Sequence, residues 1–146
     1  MVEEGQPAPD FELASDSGDT IRLSELRGKP VVLYFYPRDD TPGCTKQACG
    51  IRDEYGRFRE AGAVVLGVSS DTQASHARFK EKYGLPFTLL ADPDKTAGEA
   101  YGVTKEGSNS FERSTFVIDA DGNVARIMRR VKPDEHAEQV LAALAA

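Results

Sequence analysis

Two unbroken apolar runs stand out along the chain: Val31 to Tyr36 (VVLYFY) and Ala63 to Ser69 (AVVLGVS). Runs of this length without polar alternation mark strands covered on both faces. Between them Ala48, Ile51, Tyr55 and Phe58 recur at helical steps, predicting a helix from about Pro42 to Arg59 with Gly62 just past its end. Gln73 to Tyr83 reads as a second helix, capped by Asp71 or Thr72 and closed by Gly84. Phe87 to Leu90 is a short strand, and a short helix follows Asp94 as far as Tyr101. Two hairpins are predicted. One joins Phe11–Leu13 to Thr20–Leu23 across Asp16–Asp19, and the other joins Ser114–Ile118 to Val124–Met128 across Asp119–Asn123. The last helix starts near Asp134 and buries Ala137, Val140, Leu141 and Leu144.

The order is a hairpin, then β-α-β-α-β-α-β-β-α. This predicts an α/β domain spanning residues 1–146, with a central mixed sheet flanked by helices and right-handed crossovers. It is compatible with a thioredoxin-like fold that carries an N-terminal β-hairpin extension.

Composition narrows the partners. Charged residues make up 29% of the chain and hydrophobic residues 40%, with a net charge of -6. Lys and Arg are dispersed, so the local basic field that nucleic acid or an anionic membrane surface requires is missing, and neither is expected as a partner. No apolar run approaches the ~20 residues of a membrane span. The acidic start, Met1-Val2-Glu3-Glu4-Gly5, has no apolar signal region, so a cytoplasmic location is expected.

Only two cysteines occur, Cys44 and Cys49. In a reducing compartment a close pair points to redox chemistry or metal binding more than to a permanent staple. Thr41-Pro42 is a strong helix start, with Thr41 at the N-cap and Pro42 at the first helical position. Cys44 then occupies the third position. There the unpaired N–H groups and the positive end of the helix dipole favour a thiolate. The stripe Cys44, Ala48, Ile51, Tyr55 and Phe58 puts the sulfur at the bottom of a pocket. A small cysteine that merely fills the core is the competing reading of Cys44. Cys49 lies five residues on, 140° around an ideal helix and 7.5 Å along it, with Cα atoms roughly 8–9 Å apart. A disulfide needs about 7 Å or less, so the first turns must unwind before the two sulfurs can join. A purely helical role is the competing reading of Cys49. The two histidines, His76 and His136, are expected on the surface.

The segment Phe35-Tyr36-Pro37 … Thr41-Pro42-Gly43-Cys44-Thr45 … Cys49 resembles the peroxiredoxin signature Pro-x-x-x-Thr-x-x-Cys, most closely that of the bacterioferritin comigratory protein or peroxiredoxin Q branch. Gly5–Phe11, Leu66–Ser69, Phe87–Asp92 and Arg113–Asp119 agree, and the likeness spans nearly the whole chain. The resemblance implies a thiol peroxidase that reduces hydrogen peroxide and organic hydroperoxides. Cys44 matches the peroxidatic cysteine and Cys49 the resolving cysteine on the same helix. Thr41 matches the threonine that contacts thiolate and peroxide, Pro37 the proline packed over the site, and Arg113 the arginine reaching in from a later strand. Thioredoxin or a similar dithiol is the implied reductant, and the branch suggests a monomer. No haem, flavin or metal cofactor is implied. Gln47 stands where many relatives have Glu near the arginine network, though Gln also occurs in this branch, and the stretch between Tyr101 and Arg113 is shorter than the branch leads one to expect.

Three other functions compete with this one. A thioredoxin-type disulfide reductase normally uses Cys-x-x-Cys, and here Thr45-Lys46-Gln47-Ala48 makes the gap two residues too long. A metal-binding or copper-delivery module would need ligands beside the cysteines. A redox-sensing interaction protein could use the same cysteine switch.

Overall fold

In a computed structural model of the chain, which describes residues 2–145, the two apolar runs lie side by side at the centre of one sheet. Met1 and Ala146, the ends of the expected domain, lie outside the described residues. The strands are β1 (Glu12–Ser15), β2 (Thr20–Arg22), β3 (Val31–Phe35), β4 (Val64–Ser69), β5 (Thr88–Ala91), β6 (Ser114–Ile118) and β7 (Val124–Met128). The helices are α1 (Pro42–Asp53), α2 (Tyr55–Glu60), α3 (Gln73–Tyr83), α4 (Thr96–Ala100) and α5 (His136–Ala145), and a 3-10 turn spans Leu23–Leu26.

The sheet runs β2-β1-β5-β4-β3-β6-β7. β3, β4 and β5 are parallel, while β6 pairs antiparallel with β3 and β1 antiparallel with β5. Both predicted hairpins form. The period of two along β3 explains its lack of polar residues. Val31, Leu33 and Phe35 enter one core, and Val32, Tyr34 and Tyr36 enter the other. The second core is roofed by helices, which supply Cys44, Ala48, Ile51, Phe58, Phe79, Val140 and Leu141. The first is closed largely by α4 and irregular chain, through Phe11, Leu23, Ala97, Tyr101, Val103 and Phe111.

One expectation changes and one alternative is settled. The helix predicted from Pro42 to Arg59 is interrupted at Glu54, whose backbone (φ -105°, ψ 12°) is not helical. Gly50 and Gly56 flank the break, and each glycine costs a helix about 1 kcal/mol relative to alanine. Of the two possible caps of α3, Thr72 does the work, accepting the Ser75 N–H at 3.2 Å, and Gly84 closes the helix with φ 60°. Asp71 instead accepts the Asp39 N–H at 2.8 Å and the Ser69 hydroxyl at 2.6 Å.

The short stretch after Tyr101 is held by an antiparallel bridge between Thr104 and Phe111. It inserts the Phe111 ring into the first core against Phe35, at a ring separation of 5.7 Å. Gly98 is required beneath it, because a Cβ there would collide with the Phe111 ring.

Phe35 is fully buried and packs on Tyr101, Phe111 and Phe116, on the face away from Cys44. Phe35→Ala is expected to destabilise the fold by about 3–5 kcal/mol. Urea unfolding checks this, and a loss under about 1.5 kcal/mol would contradict the two-core description.

Candidate active site

β3 delivers the chain into Pro37–Asp40 and then into the start of α1, at the carboxyl end of the parallel strands, where open α/β sheets place their ligands. Thr41 occupies the N-cap position with extended backbone (φ -88°, ψ 156°), yet its side chain caps nothing. The hydroxyl donates instead to the Arg38 carbonyl at 3.0 Å. The expected cap is therefore right in position and wrong in bonding. The N–H groups of Gly43 and Cys44 are left without a side-chain partner, and the helix start stays electropositive.

Cys44 is buried in the helix-roofed core, and Cys49 is half-buried. Both are free thiols. Because α1 is unbroken across both positions, the ideal-helix separation of roughly 8–9 Å applies and the bridge cannot form in this state.

Arg113, just before β6, is half-buried and reaches over the first turn of α1. Its Nη1 donates to Gln47 Oε1 at 2.5 Å. Its Nη2 lies so close to Gly43 that a Cβ there would approach to 3.0 Å, with Pro133 Cγ 3.5 Å away on the same side. A glycine before the cysteine thus makes room for the cation. Gln47 is fully buried, and its Nε2 stands 3.2 Å from His136 Nδ1. His136 Nε2 lies 2.6 Å from Thr115 Oγ1, and the Tyr34 ring packs on the imidazole at 5.4 Å. Burial, with a lesser contribution from the Arg113 charge, holds the His136 pKa down to about 3.

The loop leading to α1 is clamped from the other side. The Tyr36 hydroxyl donates to Asp39 Oδ1 at 2.5 Å. Asp39 Oδ2 accepts the Ser75 hydroxyl at 2.7 Å and stands 2.7 Å from His76 Nδ1. His76 Nε2 faces the Leu90 carbonyl at 2.9 Å, so it carries a proton. Burial raises the Tyr36 hydroxyl well above its ordinary pKa, and Asp39 adds to this. Asp40, in the left-handed region at φ 58°, accepts from Lys82 at 2.7 Å and Tyr83 at 2.6 Å, and these bonds lower its carboxyl pKa. Pro37, half-buried, opens this clamped turn.

Both histidines were expected on the surface, and both are fully buried. Each nitrogen in these pairings has a defined partner, which offsets the desolvation that normally keeps histidine outside. His136, Thr115, Asp39 and His76 carried no local pattern pointing to the site. Gln47, which the resemblance sets near the arginine network, holds Arg113 directly. Among the described residues no group of three or more His, Cys, Asp and Glu side chains could hold a metal ion.

Residues 4–127 match the AhpC/TSA family. The chain belongs to that family. AhpC/TSA relatives cover it almost end to end. It is 47% identical to Peroxiredoxin Bcp of Bacillus subtilis, over 98% of this chain and 95% of that one. The crystal structure of the peroxidoxin BcpB of Mycobacterium tuberculosis superposes with a TM-score of 0.92 at 37% identity, covering 99% and 97% of the two chains. The bacterioferritin comigratory protein of Xanthomonas campestris, whose structures address alkyl peroxide reduction, gives 0.91 at 36% identity and 98% of both chains. The AhpC/TSA fold shared with these structures is thioredoxin-like, with the seven-stranded mixed sheet described above.

The buried imidazole has a measurable signature. An unfolded chain protonates His136 near pH 6.5, whereas the folded chain resists down to about pH 3. The unfolded state therefore binds more protons in this window, and stability falls as pH drops through it, by up to about 1.4 kcal/mol per unit. NMR titration is expected to find the His136 ring neutral at pH 5. A ring that titrates near 6.5 would contradict the buried chain of hydrogen bonds.

Proposed function

We propose that the protein is a thiol peroxidase in which Cys44 reduces hydroperoxides and Cys49 resolves the product. The observation that carries this reading is a free, buried Cys44 in an uncapped first helical turn under the Arg113 guanidinium, with the second free thiol on the same helix. The N–H groups, the helix dipole and the arginine charge all present positive potential to negative charge developing at that sulfur and its substrate.

The Cys44 thiolate attacks one peroxide oxygen. An S–O bond forms, the O–O bond breaks, and the leaving oxygen takes a proton and departs as water or an alcohol. Sulfur loses two electrons and becomes a sulfenic acid. Negative charge spreads over both oxygens as the bond breaks, and Arg113 stays charged and presents a planar fork of donors to it. The Thr41 proton is engaged by the Arg38 carbonyl, so its oxygen offers lone pairs that can accept the peroxide O–H. Pro37 helps to keep water from the sulfur. The start of α1 then unwinds, and the Cys49 sulfur displaces water from the sulfenic acid to give the disulfide. An external dithiol, thioredoxin in our proposal, reduces that bond by exchange. We further propose that the chain works as one monomeric domain in the cytoplasm, with no cofactor. Among the described residues no helix is long and apolar enough to cross a membrane.

Peroxide consumption with a dithiol reductant, followed by mass spectrometry, tests the scheme. Cys44→Ser is expected to reduce turnover to background. Cys49→Ser is expected to consume one equivalent and stall, and the native chain to show an intramolecular Cys44–Cys49 bridge. Arg113→Ala is expected to slow the peroxide step by about 10²–10³-fold. Fast turnover in Cys44→Ser would remove the Cys44 assignment, and efficient reduction of protein disulfides with no peroxide consumed would replace this reading with the disulfide-reductase one.

A further inference from the structure

Gln47 is a fully buried amide whose neighbours leave it one orientation. Arg113 has donors only, so the amide atom facing its Nη1 at 2.5 Å is the oxygen. The NH2 group then faces His136 Nδ1 at 3.2 Å. Nδ1 must accept, so the proton of the neutral ring sits on Nε2 and is donated to Thr115 Oγ1 at 2.6 Å. Turning the amide over would set NH2 against guanidinium, two donors face to face. The ring is equally constrained, with the Tyr34 ring tilted at 57° against it and His136 seated as the first residue of α5.

We infer that His136 is a positioning residue for the peroxide step: by accepting from Gln47 it holds the amide oxygen that keeps the Arg113 guanidinium over the first turn of α1. This rests on the proposed role of Arg113 and extends it to a residue that touches neither sulfur nor peroxide. Among the described residues Gln47 Oε1 is the one hydrogen-bond partner of the guanidinium, and that oxygen is placed only as well as its own NH2 group is anchored. Without an acceptor at Nδ1 the amide has a donor buried without a partner, and it gains by rotating away from Arg113.

The test uses the full chain and follows Cys44 oxidation in a single turnover with hydrogen peroxide by stopped flow. Thermal unfolding of each variant is recorded alongside. His136→Phe keeps a buried ring and removes the acceptor, and Cys44 oxidation is expected to slow about tenfold, as for coupled neighbours in one network. His136→Asn, whose amide oxygen can stand where Nδ1 stood, is expected to recover most of that loss. In an Arg113→Ala background, His136→Phe is expected to add nothing, since the group it positions is gone. Additive losses in the double variant, a His136→Phe rate equal to that of the native chain, or His136→Asn as slow as His136→Phe would each overturn the inference. A slow Arg113→Ala beside an unaffected His136→Phe sinks this inference alone. A fast Arg113→Ala sinks the arginine's role and this inference with it. Should His136→Phe fail to fold, 15N NMR of the native imidazole decides. Protonated Nε2 with bare Nδ1 is expected, and a proton on Nδ1 at neutral pH would refute the arrangement.

Discussion

One constraint governs the molecule: the amino-terminal turn of α1 must lie against a dry sheet while its own N–H groups stay unspent. A capped helix start would be more stable, because a side-chain oxygen would satisfy one of those donors. Here Thr41 gives its hydroxyl to Arg38 and leaves the turn open. The stability forgone locally is supplied by the surroundings. Cys44, Ala48 and Ile51 are buried against β3, and the loop in front of the helix is tied to α3 through Asp39 and Asp40. An exposed turn with the same sequence would be hydrated, and water would weaken its field on the sulfur.

The second feature follows from the first. A cation must approach the open turn closely, and Gly43 at the second helical position leaves room for it, since a Cβ there would stand 3.0 Å from Arg113 Nη2. The cation must also be aimed. Arg113 gets its direction from Gln47, and Gln47 lies on α1 between the two cysteines. The same stretch of helix therefore serves two conflicting demands. While it is folded, it presents Cys44, carries the amide that holds the arginine, and keeps Cys49 too far away to bond. Once it unwinds far enough for the sulfurs to meet, the arginine loses its holder. On the proposed scheme, the peroxide step and the closing of the bridge belong to different conformations of one segment.

Much of this was legible along the chain. The two-faced burial of β3 and β4, the hairpin at 114–128 and the start of α1 all follow from local rules: strand period, turn residues and caps. Short-range patterns also misled. The stripe through Phe58 hid the break at Glu54, because that break leaves Phe58 buried on the same face. The histidines looked like surface residues, because average burial is all that a lone histidine reveals.

By itself the amino-acid sequence determined most of the elements, the family and the two sulfurs with their spacing, since each depends on neighbours a few residues apart. Only the tertiary structure decided what surrounds the first sulfur. Gln47 meets His136 across 89 positions of chain, Arg113 meets Gln47 across 66, and Asp39 meets His76 across 37. Such contacts arise when sheet order and helix packing bring distant segments together. No spacing rule encodes them, because the hydrogen bonds that keep these polar groups buried exist only once the layers have closed.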